Sequence, residues 1–311
     1  MGVGSQPGGS SVAHGAVLDG KAIAARIRET LLQELGALRV HPQLRILSFD
    51  TPASLVYKSA QTVAARALGI WTDRTETDGS AVCSWTGVTQ QQVERTIHSW
   101  NQDHAVHGIF VHQPLPPQLD AQQISTLIDP RKDVEGIHPQ TSARRFFAKA
   151  RIGSCTALAV MELIDEALRR SSRTLEGKEA VVVGHSEIVG RPVSMLLLDR
   201  LATTTVCHLG TDRVGRLEEH VRQADVLVVA VGRPQLIKGA WIKPGAMVID
   251  VGINVVNGRV VGDVEFEAAK ERAAFISPVP GGVGPVTVMM VMKNTVEAFK
   301  LQQARADHAS P

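Results

Sequence analysis

The chain is short of cysteine, of tyrosine, of long apolar runs and of excess charge. Each shortage removes a class of protein. Cys83, Cys155 and Cys207 are odd in number and far apart, which excludes a disulfide framework and gives no metal-ligand spacing. They suit a reducing compartment, and no metal site is expected. No apolar run approaches the ~20 residues of a membrane-spanning helix. With 33 Lys and Arg against 31 Asp and Glu, the net charge of +2 implies no general attraction to nucleic acid. The opening MGVGSQPGGSS lacks the charged and apolar regions of a secretory signal, and Gln6 breaks the myristoylation pattern after Gly2. Residues 1–16 therefore read as a flexible tail on a cytoplasmic protein without membrane or nucleic-acid partners. What remains is 311 residues, 44% of them hydrophobic, enough for two domains sharing a cleft.

The most informative stretch is GKEAVVVGHSEIVGRPVSMLLL, residues 177–198. Ala180 to Gly184 predicts a buried strand, GHSEIVG a tight turn, and the run after Pro192 a helix. Strand, glycine turn and helix in that order can aim free N–H groups and a helix dipole at an anion. The spacing of Gly184, Ser186 and Gly190 is G-x-S-x-x-x-G rather than G-x-G-x-x-G, and a plain strand-to-helix turn reads the same way. Three further strands are predicted at 203–207, 226–231 and 246–251, with a helix near 217–223 between them. Continuous apolar strands alternating with helices predict a parallel sheet covered on both faces. Ligands of such sheets sit beyond the carboxyl ends of the strands, where Gly184, His208, Gly232 and Gly252 fall. A dinucleotide-type site is the better reading.

The first half alternates in the same way. Helices are predicted at 18–40, 53–68, 93–101, 124–127 and 157–169, with strands at 44–49 and 107–111 and a strand among loops within 70–89. After the fourth sheet strand, 254–261 predicts a hairpin around Asn257-Gly258, and 264–274 a helix. SPVPGGVGP, 277–285, is too rich in Pro and Gly for a regular element. Its glycines admit positive φ and close approach to a ligand, or the segment is a rigid linker. A last helix is predicted at 287–302, then a loose end.

The segments LDGKAIAARIR, ASLVY, GIFVHQPLP, KDVEGIHP, GKEAVVVGHSEIVGRP, ADVLVVAVGRP to VIDVGIN, and SPVPGGVGP occur in this order. Together they resemble the methylenetetrahydrofolate dehydrogenase/methenyltetrahydrofolate cyclohydrolase family of the FolD type, over roughly residues 17–302. The resemblance implies an α/β protein of two domains around a cleft. A discontinuous folate-binding catalytic domain would span 17–152 plus 286–303, a Rossmann-type NAD(P)-binding domain 153–285, and a loose C-terminus 304–311. It implies a homodimer that oxidises 5,10-methylenetetrahydrofolate with NADP or NAD and hydrolyses the methenyl product to 10-formyltetrahydrofolate. Ser54, Tyr57, Gln113, Pro114, Leu115, Asp133, Glu135, Pro278, Gly281 and Gly282 then become substrate-binding candidates. Gly184, His185, Ser186, Ile188, Gly190, His208, Gly232, Gly252, Ile253 and Ser277 become cofactor-binding ones.

Departures from the family pattern cluster at the reactive centre. The motif S-x-x-Y-x-x-x-K reads Ser54, Tyr57, Gln61, so an amide stands where a lysine belongs. An amide neither titrates near neutrality nor carries charge. Lys58 follows Tyr57 directly and so lies on another helix face. His112 stands for the glutamine that supports the lysine, and Glu135 for a pterin-binding aspartate. Both prolines of P-C-T-P are lost around Cys155-Thr156. His112 either titrates as an acid or base of its own or simply hydrogen-bonds Gln61. Tyr57, Gln61, His112 and Glu135 are the catalytic candidates. On the nucleotide side, His185 and Leu209-Gly210 replace positions where many members carry an arginine for the 2′-phosphate of NADP, with Arg191 and Arg213 as the remaining cations nearby. Cofactor preference stays open. Three readings follow: a dehydrogenase whose cyclohydrolase activity is weak or absent, a non-redox enzyme passing the methylene unit to another acceptor, and a folate-binding protein without turnover.

Overall fold

β1 (Ala16–Val17) and α1 (Gly20–Gly36) open the part of the chain described by a computed structural model, which covers residues 15–72, 82–147 and 151–309. Ile23, Leu31 and Leu35 put the apolar stripe of α1 in the interior. β2 (Leu44–Phe49) is almost wholly buried, as its unbroken apolar sequence requires. α2 (Pro52–Ala67) starts at Thr51, whose hydroxyl accepts the Ser54 N–H, and Pro52 occupies a first-turn position that needs no N–H partner. β3 (Val82–Cys83) and β4 (Gly108–Val111) flank β2 in a parallel sheet of order β3-β2-β4. α3 (Gln90–Gln102) begins with a capping box between Thr89 and Gln92, and α4 (Ala121–Leu127) with an Asp120 cap. Phe49, Val93, Ile97, Ile109 and Val111 belong to the core these elements share. α5 (Pro139–Phe147) and α6 (Cys155–Ser171) follow.

The second sheet is built by β5 (Glu179–Val183), β6 (Thr203–Cys207), β7 (Val226–Val229), β8 (Met247–Asp250) and β11 (Phe275–Ile276), with β1 at one edge. Its order is β1-β11-β8-β7-β5-β6 and every pairing is parallel. α7 (Gly190–Leu198), α8 (Leu209–Arg213) and α9 (Leu217–Gln223) lie between β5 and β7 in the chain, and α10 (Phe266–Lys270) precedes β11. β9 (Asn254–Val256) and β10 (Arg259–Val261) form the hairpin, with Asn257 at φ 51° and Gly258 at φ 74° as its tight turn requires. From β5 the chain goes to one side for β6 and to the other for β7, so winding reverses between β5 and β7. Gly184 ends β5 there at φ 123°, and a Cβ on it would run into the Ala230 carbonyl. Only glycine fits.

The chain divides into two units. One holds the described residues up to Asp19, with Leu163–His185 and Leu197–Gly282; the other holds Gly20–Glu162, Ser186–Leu196 and the chain from Val283 onward. Residue 16, expected in the tail, is in β1, because two residues suffice to pair with β11. The helix expected at 264–274 shrinks to α10. The final helix, α11 (Val283–Ala309), starts inside the Pro/Gly-rich segment and takes in residues 304–309, expected to be loose. Pro285 is its third residue, where a missing N–H costs nothing. α5, α8, β1 and β11 are too short or too polar to show in a periodicity. Of the remaining expectations, residues 1–14, 73–81, 148–150 and 310–311 lie outside the described residues. No described helix is long and apolar enough to cross a membrane.

Lys132, from the KDVEG motif, is only 5% exposed, and its ammonium group donates to the carbonyls of Trp100, Asn101 and Asp103 at 2.9, 2.8 and 2.7 Å. The C-terminal end of α3 leaves carbonyls without helical partners, and the lysine satisfies them. K132M should therefore lower the free energy of urea unfolding by about 2–4 kcal/mol. A loss below about 0.5 kcal/mol, the range of surface substitutions, would refute this role.

Candidate active site

Ser54, Tyr57 and Gln61 recur at i, i+3 and i+7 on α2, which places them on one helix face. That face meets the end of β4 at His112. His112 Nδ1 lies 2.8 Å from Ser54 Oγ, and Nε2 lies 2.8 Å from Gln61 Oε1. Ser54 Oγ also accepts the Phe49 N–H at 3.1 Å. With Gln61 Oε1 accepting, Nε2 carries the imidazole proton and Nδ1 takes the Ser54 hydroxyl proton. Gln61 is fully buried, and its Nε2 has no partner. Burial, reinforced by the Lys58 charge and offset in part by a hydrogen bond with the Ser54 backbone, pushes the His112 pKa down to about 4. The imidazole is neutral at neutral pH. The rings of Tyr57 and Phe110 meet it edge-on at 5.7 and 5.5 Å.

Glu135 sits nearby, and its Oε2 is likewise buried and unpartnered. Burial first, and the Asp133 charge second, raise its pKa well above the usual carboxyl range. The Tyr57 hydroxyl is raised by burial and by the neighbouring Cys155 and Glu135, with a hydrogen bond to Thr287 pulling the other way. Burial also raises the Cys155 thiol, followed by Glu135 and Asp133. Phenol, thiol, imidazole and amide are thus uncharged around one another, beside a carboxyl whose charged form burial disfavours. Two orphaned polar atoms, Gln61 Nε2 and Glu135 Oε2, suit a ligand that offers both an acceptor and a polar hydrogen or lone pair, as a pterin does.

Not every substrate-binding candidate faces outward. Asp133 is fully buried, and its carboxylate accepts the N–H groups of Gly136, Ile137 and His138 at 2.9, 3.3 and 3.0 Å. It shapes the turn that carries Glu135. Gln113 and Leu115 are half-buried, Leu115 against the core around Phe49, and Pro114 is exposed after a cis bond. Gly281 has φ 104° with open space where a Cβ would be, whereas a Cβ on Gly282 would crowd the Pro278 carbonyl. Pro278 itself is half-buried. Thr287 and Asn294 were not singled out from the sequence. The Asn294 amide donates to the carbonyls of Val134 and Gly153, both at 2.8 Å, and to Cys155 Sγ at 3.3 Å. Polar residues within VTVMMVMKNTV, an otherwise apolar helix segment, were the available cue.

At the carboxyl edge of the second sheet, the expected anion cradle is partly spent on itself. Ser186 Oγ accepts the N–H groups of Val189 and Gly190 at 3.2 and 3.4 Å, so it caps α7, and the Ile188 carbonyl takes the Ser154 hydroxyl. The His185 and His208 rings lie 5.4 Å apart, and both residues are exposed. His208 Nδ1 accepts the Gly210 N–H at 3.1 Å. Arg191 pairs with Glu187 at 3.2 Å. Arg213 is exposed, and Arg233, absent from the sequence candidates, pairs with Asp212 at 2.7 Å. Ser277 is fully buried, its hydroxyl accepting the Asp250 N–H at 2.8 Å, and Gly252 donates to Asp250. Both therefore hold the edge together from inside. Gly232, at φ 65° with nothing within 4 Å of a Cβ position, leaves open backbone after β7, and Ile253, after β8, is an apolar side chain 68% exposed. These features fit a flat nicotinamide nucleotide at this edge.

Residues 18–135 match the family model for the tetrahydrofolate dehydrogenase/cyclohydrolase catalytic domain, and residues 154–303 match that family's NAD(P)-binding domain. Bifunctional protein FolD 2 of Myxococcus xanthus is 44% identical over 288 residues, 91% of this chain and 95% of its own length. The bifunctional FolD protein of Halothermothrix orenii is 44% identical over 292 residues, covering 92% and 98%. Among solved structures, the Trypanosoma brucei methylenetetrahydrofolate dehydrogenase-cyclohydrolase complexed with NADP and an inhibitor aligns at TM-score 0.85 with 38% identity, covering 93% of this chain and 99% of that one. The Campylobacter jejuni bifunctional enzyme aligns at 0.82 with 37% identity, covering 92% and 99%. By family models, relatives and fold alike, this chain belongs to the tetrahydrofolate dehydrogenase/cyclohydrolase family and is an enzyme of that type.

Proposed function

We propose that the enzyme oxidises 5,10-methylenetetrahydrofolate with a nicotinamide cofactor and hydrolyses the methenyl product weakly or not at all. The observation that carries this reading is the buried Gln61 amide, hydrogen-bonded to a neutral His112 where the family places a lysine. The Gly232 turn and Ile253 would hold a nicotinamide at the sheet edge, where it would supply a hydride acceptor. Hydride transfer asks the protein chiefly for position. Tyr57 offers a ring face and a hydroxyl that stays protonated, and Glu135 and Gln61 offer two polar atoms in need of partners. None of these steps requires a charged side chain.

Hydrolysis of the methenyl form is different. Water must be polarised and relieved of a proton, work for which general acid–base groups supply about 10²–10⁴-fold. Gln61 cannot exchange a proton, and His112, with its pKa near 4, is a weak base. Lys58 stands close enough for its charge to disfavour protonation of His112. It does not occupy the position of Gln61 on the helix face. Arg213 and Arg233, with the paired imidazoles of His185 and His208, are the groups at hand for an NADP phosphate. The folate part is assigned to 17–152 plus 286–303, the nucleotide part to 153–285, and the working form to a homodimer.

Two outcomes follow. With methylenetetrahydrofolate and NADP or NAD, reduced cofactor should form while methenyltetrahydrofolate accumulates. Q61K should then speed methenyl hydrolysis by about 10²-fold or more, read as decay of methenyl absorbance. Folded Q61K protein with an unchanged rate refutes the role given to Gln61, and folate binding without reduced cofactor refutes the dehydrogenase. The second outcome concerns pH. His112 has a pKa of about 4 when folded, against about 6.5 unfolded. Its contribution to stability is therefore complete above pH 6.5 and is lost as pH falls toward 4. Relative to H112Q, the unfolding free energy of the native chain should fall more steeply as pH drops through that window, and equal slopes would contradict a neutral buried imidazole.

A further inference from the structure

Two buried aspartates stand behind the sheet edge that is assigned to the cofactor, and neither was a candidate from the sequence. Asp263 is fully buried; its Oδ2 accepts the N–H groups of Val231 and Gly232 at 2.8 and 2.9 Å, and its Oδ1 accepts the Asn254 side-chain amide at 2.8 Å. Asp250 Oδ1 accepts the N–H groups of Gly252 and Asp263, both at 3.0 Å, and Oδ2 accepts that of Val264 at 2.9 Å. The sequence makes room for both groups with glycine. A Cβ on Gly252 would overlap the Asp263 carboxylate, and one on Gly262 would overlap that of Asp250. Every carboxylate bond named here runs from an N–H donor to an oxygen, so its direction is unambiguous.

The consequence is mechanical. Val231-Gly232 follows β7 and Asn254 opens β9, so one carboxylate joins the turn after β7 directly to the start of β9. Ile253 lies between two anchored neighbours, Gly252 on Asp250 and Asn254 on Asp263. That explains how a large apolar side chain stays 68% exposed on a strand-end loop without folding back onto the core. Gly232, pinned through its N–H, keeps its open side outward.

We propose that Asp263 is a positioning residue for the nicotinamide cofactor, clamping the Gly232 turn to the segment that presents Ile253 so that the two form one rigid platform. This rests on the proposed function. Binding energy then need not be spent on ordering the two loops.

D263N tests it. One oxygen remains for the Val231 and Gly232 amides, but the new NH₂ would face the Asn254 NH₂, donor against donor. Titration calorimetry should show NADP and NAD each binding about tenfold or more weakly, the loss expected for a charge-assisted bond. Tetrahydrofolate binding should stay within about twofold, and hydrogen exchange at Val231 and Gly232 should accelerate. Adding N254D to D263N restores donor to acceptor and should recover most of the cofactor affinity, a rescue that general destabilisation does not produce. Should D263N not fold, N254A removes the bond to Asp263, with a longer one of 3.4 Å to the Val261 carbonyl, and should weaken the cofactor about threefold. Faster exchange with unchanged cofactor affinity, in either variant, overturns the positioning role. If the native chain binds neither NADP nor NAD, the dehydrogenase reading falls and the positioning role with it, whereas failure in the variants alone leaves that reading intact.

Discussion

The 2.8 Å hydrogen bond between His112 and Gln61 lies in an interior that excludes water, and its surroundings decide the charge state of every group near it. An ion there would have to find a counter-ion or lose its charge. The imidazole therefore stays neutral, the phenol of Tyr57 and the thiol of Cys155 keep their protons, and burial disfavours the charged form of Glu135. A lysine in place of Gln61 would bring a charge needing compensation. The amide needs only a hydrogen-bond partner, and His112 provides it. The proposed function takes this pair as exchanging a charged centre for an uncharged one. Such a centre favours reactions governed by position over those that move protons to and from water.

Buried ionisable side chains occur elsewhere, always on the same terms. Asp133 binds three backbone N–H groups in the turn that presents Glu135. Asp263 binds two, with an amide, at the Gly232 turn, and Asp250 binds three beyond β8. Lys132 mirrors them with three carbonyls. In each case a loop whose peptide groups have no ladder or helix partner borrows one from a buried side chain. The aspartates brace turns that carry candidate site residues, and Lys132 braces the end of α3.

The sequence by itself determined the class of each sheet, most strand boundaries and the face of α2. These follow from local rules: unbroken apolar runs make buried parallel strands, and residues three and seven apart share a helix face. The composition of the reactive centre was legible too, since Ser54, Tyr57, Gln61, His112 and Glu135 carry motifs with fixed spacing. The tertiary structure alone decided what those residues are. A histidine becomes a neutral hydrogen-bond partner, and a glutamate a group whose charged form is disfavoured, only because distant elements desolvate them. Thr287 and Asn294 reach Tyr57 and Cys155 from a helix more than a hundred residues away in sequence, and Asp263 reaches Gly232 across 31 positions. No local pattern encodes such contacts, because desolvation and hydrogen-bond pairing depend on which segments meet in space.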